Sequence, residues 1–295
     1  NSLISIIGSD FSPSINRNTY FSVILVTMHF KNSSLDVDAV YVLTMENSDR
    51  LEKIKMELYR CKPGKIVIIQ INKGFKDCRK RLCSDSKNDI DITYKDISHA
   101  YLNAFKHALE NQYQNILVLE DDATFSNEFY NAENLKVVNE FIPKLDSNKF
   151  VFALGLIPWM SLYHSYGIRR SVLSTGIHAT IFPASVIENI VRDCSSISDM
   201  DMYVNMKCTR YFHHYPLVTQ TFPETENFKN WGADFGIMGT VVRFIAGIII
   251  WLFGLHKNAE PGTTIIYTMN KVIYDLGIPL LIIFILFLNI KKEYV

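Results

Sequence analysis

The sequence predicts an α/β fold, parallel strands flanked by helices, with an apolar carboxyl-terminal hairpin behind it. Three features carry that expectation. Valine- and isoleucine-rich runs alternate with amphipathic segments in β-α-β order. One such run, residues 115–119, stops abruptly at Glu120, Asp121 and Asp122. Past residue 234 the composition shifts to two long apolar stretches with a polar one between them.

Residues 38–45 suit a first buried strand. A helix follows over 47–60, with Asn47 or Ser48 as its cap and Leu51, Ile54 and Leu58 at helical spacing. Pro63-Gly64 breaks it, and 65–71 reads as a second strand, completing a unit that implies a right-handed crossover. Residues 72–92 are charged and aperiodic, a surface loop. Residues 94–113 form a strong helix with Tyr94, Ile97, Tyr101 and Phe105 on one stripe and Ser98 and His99 off it. The run ending at Glu120 is then a strand buried on both faces, and its carboxyl end is where open sheets bind ligands.

Residues 149–155 and 175–182 read as further strands. Pro183 opens a helix to about residue 192, and 199–206 is one more short helix. Residues 211–221, interrupted by Pro216, are extended and belong at an edge. At the other end, 19–30 is apolar but too short to span a bilayer, and reads as a strand or packing arm. The chain opens on Asn1 rather than methionine, which leaves an upstream piece or a processed end open. Asn32-Ser33-Ser34 is a formal glycosylation sequon.

Residues 235–255 hold a single charge, Arg243, and 272–290 only Asp275. Lengths near 20 are what a bilayer crossing demands, so the two predict a transmembrane helical hairpin joined by a polar linker, 256–271, and closed by Lys291 and Lys292 at a membrane edge. A hairpin would let Arg243 and Asp275 approach each other, which matters because lone charges are costly in hydrocarbon. A buried helical pair in a soluble protein is the competing reading. If the hairpin spans, the positive-inside tendency puts the preceding domain in the cytoplasm; an amino-terminal anchor would reopen a luminal ER or Golgi location.

A net charge of zero excludes a partner held by bulk phosphate electrostatics, so no nucleic acid is expected. The five cysteines are odd in number and lack CxxC spacing, which argues against a zinc ribbon and against a disulfide framework. Reduced thiols are expected, with Cys78 and Cys83 the pair to form if any does.

Three adjacent acids repel one another unless a cation compensates them. Hard oxygen ligands select magnesium or manganese, ions that also recruit a substrate's phosphates. The plain alternative is an acidic turn in which Asp121 or Asp122 caps a helix. His213 and His214 are metal ligands by type, but neighbours on an extended segment point to opposite faces, so one at most would reach a shared ion.

The order of motifs is more specific than any one of them. Val40-Tyr41-Val42-Leu43 with Arg50 in the next helix, then Ser98-His99, Leu119-Glu120-Asp121-Asp122-Ala123, Gly176-Ile177-His178-Ala179, Asp201, and 216–220 together resemble glycosyltransferase family 25. That family includes bacterial lipooligosaccharide galactosyltransferases and collagen galactosyltransferases. The resemblance covers about residues 38–220. It implies a GT-A-like, nucleotide-sugar-binding mixed sheet flanked by helices, with an Asp-x-Asp-type motif holding Mn2+ (or Mg2+) on the diphosphate of a UDP-sugar. Glu120 and Asp122 take the outer, metal-binding places, and Asp121 lies beside the ribose or a metal-bound water. Thr44 lies near the base, Arg50 approaches the donor, and Ser98 and His99 line the same cleft. His178 projects toward the donor sugar and Asp201 orients the acceptor hydroxyl; one of these two serves as base in an inverting reaction. The plain readings are a core histidine for His178 and a helix-start acid for Asp201.

In place of the family's Gly-Glu-(Ile/Leu)-Gly-Cys stretch before Ser-His stands Ile92-Thr93-Tyr94-Lys95-Asp96-Ile97. If those glycines let a backbone approach the nucleotide, this chain does so differently. The chain then divides into an amino-terminal extension (1–34), a GT-A-like domain (35–232) and a membrane-anchoring hairpin (233–295). The expected function is metal-dependent transfer of a hexose, galactose or glucose, from a UDP-sugar to a glycan or protein acceptor. The alternatives are a membrane-anchored, catalytically impaired binding protein of the same fold and a metal-dependent phosphate-ester hydrolase. A hydrolase draws ligands from several strand ends, and no second acidic cluster of comparable quality stands out in the sequence.

Overall fold

The computed structural model describes residues 23–84, 88–147, 150–222, 236–280 and 283. A mixed sheet of seven strands runs through its centre. Strand β2 (Ala39–Met45) lies between β3 (Ile66–Asn72) and β4 (Asn115–Glu120), parallel to both. The antiparallel neighbours are β1 (Val23–His29) on β3 and β7 (Ile168–Pro183) on β4. Beyond β7 follow β6 (Phe150–Ser165) and β8 (Thr209–His213). The expected arm over residues 19–30 is therefore, in its described part, an edge strand of the main sheet.

Alternation along the central strands creates two cores. Val40, Val42, Leu117 and Leu119 face one side, against Ile54 and Leu58 of helix α1 (Leu51–Cys61) and Val138 of α3 (Ala132–Phe141). Tyr41, Leu43, Ile116 and Val118 face the other, against Tyr101 and Phe105 of α2 (Thr93–Glu110), Ile187 of α4 (Ala184–Arg192) and Val204 of α5 (Met200–Lys207). Strands this apolar on both faces must sit between helical layers, which is why the β-α-β reading was legible.

Three differences from the sequence reading have physical reasons. First, the strands expected at 149–155 and 175–182 are the buried halves of a long hairpin, β6 and β7, sixteen residues each. Its outer half alternates poorly because register shifts interrupt the pairing. Second, α2 buries Ser98 on the same stripe as Tyr94, Tyr101 and Phe105, since the positions are separated by four, three and four residues. Third, the cysteines pair across the fold: Cys83, in the loop before α2, is bonded to Cys194, after α4, 111 residues away. Cys78 remains a thiol. The spacing of cysteines carries no information about which loops the sheet brings together.

The carboxyl-terminal part differs as well. Helix α6 (Gly236–Leu252) has 17 residues. The expected polar linker is largely helix α7 (Gly262–Val272), which runs into one π-helical turn, Ile273–Gly277. Helix α7 is docked on β6 by buried polar contacts. The Tyr267 hydroxyl accepts from the Leu156 N–H (3.3 Å), and the Asn270 amide donates to the Pro158 carbonyl (3.1 Å) and accepts from the Ser161 hydroxyl. Arg169 of β7 donates to Ser161 and, through both terminal nitrogens, to Asp275 at 2.7 and 2.8 Å. The partner of Asp275 is thus the sheet, not Arg243. A bidentate pair of this kind holds the chain by geometry as well as charge. Among the described residues no helix is long and apolar enough to cross a membrane; residues 281–282 and 284–290 of the second expected crossing lie outside them.

Closing a 111-residue loop removes roughly 4 to 5 kcal/mol of denatured-state entropy, and measured losses run from about 2 to 5. Cys83→Ser with Cys194→Ser is expected to lower the unfolding free energy by about that amount and to raise the m-value, because the denatured chain expands once the loop is open, read by urea titration of the oxidised protein and the double variant.

Candidate active site at the carboxyl end of strand β4

Strand β4 carries its apolar run straight into the acids. Glu120 is the last residue of the strand, opposite Leu43 of β2, and Thr44, one residue on, reaches Asp121. Residues 123–125 then form a short strand, β5 (Ala123–Phe125), paired with β9 (Val218–Gln220). That ribbon sets Gln220 opposite Ala123 and therefore beside Asp122.

Each acid has a different set of partners. Oδ2 of Asp121 accepts from the Thr44 and Ser48 hydroxyls, both at 2.7 Å, and Arg50 Nη1 lies 3.4 Å from both Asp121 and Asp122. The Gln220 amide donates to Asp122 Oδ2 at 2.9 Å. The Tyr101 hydroxyl sits 3.1 Å from Glu120 Oε1 and 3.0 Å from the Ile177 carbonyl oxygen. With one proton, it serves one of them at a time.

Burial and mutual repulsion raise two of these groups above the carboxylate range. For Glu120 the causes are burial first, then the Asp122 charge. For Asp122 burial again dominates, opposed by the Gln220 hydrogen bond and Arg50. Asp122 Oδ1 is buried and has no hydrogen-bond partner. An orphaned carboxylate oxygen beside a second buried carboxylate suits a divalent cation. Among the described residues no three His, Cys, Asp or Glu side chains are grouped to hold a metal, so such an ion would take one or two ligands from protein and the rest from water and phosphate, the habit of magnesium and manganese. The residues present fit that group.

Glu120 and Asp122 line a cleft of about 1100 Å³, counting the space open at its mouth. Across it stand Asp199 and Asp201 at the start of α5. Asp199 caps that helix, accepting from the Met202 N–H at 3.0 Å; burial and the neighbouring Asp201 push it up to about 6. Asp201 is committed: one oxygen accepts from the Gly176 N–H (2.8 Å), the other pairs with the buried Arg210.

The sequence-predicted residues therefore separate. Glu120, Asp121, Asp122, Thr44 and Arg50 are brought together, and Asp201 lines the same cleft as Glu120 and Asp122. Ser98 is buried and lines nothing: its hydroxyl donates to the Tyr94 carbonyl and accepts from the Met200 N–H, both at 2.9 Å, so it pins the first turn of α5 to α2. His99 lies outside the cleft lining beside Asn103, its pKa lowered to about 4 by burial and then by Lys80. His178 is fully enclosed behind the wall, and burial lowers it to about 4. Its ring fills the space that a Cβ on Gly155 or Gly176 would need, 2.5 and 3.2 Å from the nearest ring nitrogens, and Gly176 also holds φ +92°. Of the plain readings, the core histidine describes that position. His213 and His214 stack on each other at the end of β8, away from the acids.

Four residues of the site were not singled out from sequence. Ser48 was read as a helix cap, Tyr101 as stripe, and Gln220 as part of a motif. Asp199 had a signal: Asp199-Met200-Asp201 places two acids two residues apart, the spacing of Glu120 and Asp122. No protein-family profile matches the chain. No curated protein matches it either. Among solved structures, A197 from STIV is similar at 13% identity and a TM-score of 0.36, over 64% of this chain and 86% of that one. Mannose-1-phosphate geranyltransferase from Thermus thermophilus is similar at 11% identity and a TM-score of 0.37, over 67% and 79%. Likenesses at that level decide nothing about chemistry.

A carboxyl raised in the fold stabilises it below the unfolded pKa and loses that contribution as pH climbs toward the folded value. Glu120→Gln, permanently neutral, is expected to flatten the fall of metal-free stability between about pH 4.5 and about pH 8, measured by urea unfolding. The same shift makes a cation compete with protons, so Mn2+ should bind more tightly at about pH 8 than at about pH 6 and release protons as it does, read by calorimetry in buffers of different ionisation enthalpy.

Proposed function

We propose that this protein is a metal-dependent glycosyltransferase that moves a hexose, galactose or glucose, from a UDP-sugar to a hydroxyl acceptor. The observation that carries the reading is the half-buried Glu120–Asp122 pair, with a buried, unpartnered Asp122 oxygen, lining a cleft that Asp199 and Asp201 also line. Mn2+ or Mg2+ held by Asp122 and Glu120 would neutralise charge on the departing diphosphate. The chain's own residues do the rest. Thr44, Ser48 and Arg50 fix Asp121; Gln220 fixes Asp122; Tyr101 fixes Glu120.

In the transfer, the acceptor oxygen forms its bond to the anomeric carbon as that carbon's bond to the diphosphate oxygen breaks. The nucleoside diphosphate leaves with the electron pair, and the hydroxyl proton passes to a carboxylate. Asp199 suits that part better than Asp201, whose oxygens are taken by Arg210 and Gly176, or His178, which is walled off from the cleft. A pKa of about 6 leaves Asp199 ionised at neutral pH and close to the range a general base needs.

One observation favours the second reading, a binding protein of the same fold with impaired turnover: Arg50 already lies within reach of Asp121 and Asp122 and compensates part of their charge without a metal. The hydrolase reading gains the acidic wall it lacked in the sequence, Asp199 and Asp201. Location follows from two features. Apolar α6 supports association with a membrane, and the Cys83–Cys194 disulfide supports the oxidising side of it over the cytoplasm.

Purified protein with Mn2+ and a panel of nucleotide sugars is expected to release UDP from one of them, and Asp122→Ala to abolish it. Asp199→Asn should lower kcat/KM by about 10²–10⁴-fold and remove an acid limb at about pH 6 from the profile. Metal-dependent UDP binding without release, unchanged across acceptors, sinks the enzyme in favour of the binding protein; release of phosphate from simple esters points to the hydrolase.

A further inference from the structure

The cleft has two ends of opposite character. Its floor is acidic, as described. Its other end is hydrocarbon, walled by Ile157 and Trp159 of β6, Phe222 after β9, Ile249 and Ile250 of α6, and Leu255. The side chains of Ile157, Phe222, Ile249, Ile250 and Leu255 offer no hydrogen bond, and the Trp159 indole N–H is already given to the Thr175 hydroxyl at 3.2 Å. A peptide or a sugar chain lying there would leave its polar groups unpaired, at a cost no other contact returns. A hydrocarbon chain would not.

Helix α6 has a second apolar side. Phe244, Ile248, Trp251 and Leu252 are exposed, and the helix's single charge is Arg243. A helix apolar all round is ordinarily buried or in lipid. Its 17 described residues rise about 26 Å, and their exposed apolar side suits contact with lipid. Exposed Met269, Val272, Ile273 and Leu276 on α7 and the π-helical turn extend the same surface. Ala246, Ile249 and Ile250 of α6 thus line the cleft while Phe244, Ile248, Trp251 and Leu252 of the same helix are exposed.

From this juxtaposition we propose that the acceptor is a short-headed lipid, whose hydroxyl lies among Asp199, Asp201 and the acids of β4 while its hydrocarbon tail runs along Ile249 and Ile250 toward the membrane surface. The inference rests on the transferase reading and narrows it. The apolar wall adjoins the acids directly, so the reacting hydroxyl stands within a few atoms of the tail. That favours a lipid with a small head over a protein acceptor and over a glycolipid whose sugar chain separates the hydroxyl from its lipid. The bond changes are those of the transfer above, with the lipid's hydroxyl oxygen as nucleophile.

The test is a series of acceptors with one sugar head and growing tails: methyl, octyl and dodecyl glycosides, below their micelle concentrations, with Mn2+ and the donor that is turned over. KM is expected to fall about fourfold per methylene that reaches the wall, so that kcat/KM for the dodecyl compound exceeds that for the methyl compound at least a hundredfold. Ile249→Ser with Ile250→Ser should shrink that ratio tenfold or more. Binding can be followed without turnover: in a Trp231→Phe, Trp251→Phe background a bromododecyl glycoside should quench Trp159. Donor turnover with a flat chain-length profile, or with no quenching, overturns the lipid acceptor and leaves the transferase standing. Absence of donor turnover together with absence of metal-dependent UDP binding overturns both.

Discussion

The acids at the end of β4 are constrained above all by the placing of two carboxyl groups, Glu120 and Asp122, half-buried beside each other. Such a pair is unfavourable unless its charge is shared, and the fold shares it in three ways. Protons are retained at higher pH, Arg50 approaches from the surface, and Gln220 and Tyr101 supply neutral donors. Even so, one oxygen of Asp122 is left unpartnered.

The surrounding architecture exists to hold that arrangement. β4 is buried on both faces, so the place where it ends is fixed by the two cores and not by the loop that follows. The β5–β9 ribbon then returns the distant Gln220 to Asp122, and Ser98 ties α5 to α2, which fixes the height of Asp199 and Asp201 above the acids. Ser98 illustrates how a motif residue can be necessary without touching a ligand. Its role is positional, exerted through Met200.

Much of the fold was legible because local periodicity and global burial agree here. Residues 38–45, 65–71 and 115–119 are apolar on both sides and could only be interior strands, and the order of helices between them dictates a parallel centre. What was not legible depended on partners far away in the chain. The outer half of β6 and β7 looks like neither strand nor helix because bulges break its alternation. Helix α7 looked like a polar linker because Asn270, Thr263 and Tyr267 are polar, and they are polar because Asn270 and Tyr267 bond to β6 and Thr263 donates to the Ala259 carbonyl in the turn ahead of the helix. In the site, residue types announced the acids, but nothing local distinguishes His178, enclosed behind two glycines, from a histidine facing a ligand.

The carboxyl-terminal helices read as an appendage by composition, yet they are part of the cleft. Ile249, Ile250 and Leu255 complete its apolar end, and the position of α7 is set by the Arg169–Asp275 pair and the Ser161–Asn270 contacts beneath it. Arg169 is almost fully buried, so removing Asp275 would leave a guanidinium without its counter-charge in the interior, at a cost of about 3 to 5 kcal/mol. The hydrophobic helices cannot therefore be separated from the acidic floor as an anchor from an enzyme. Cutting the chain ahead of α6 would strip one wall from the cleft and strand Arg169 at the same time. Whatever the acids act on, they act on it in a space that the apolar end of the chain helps to build.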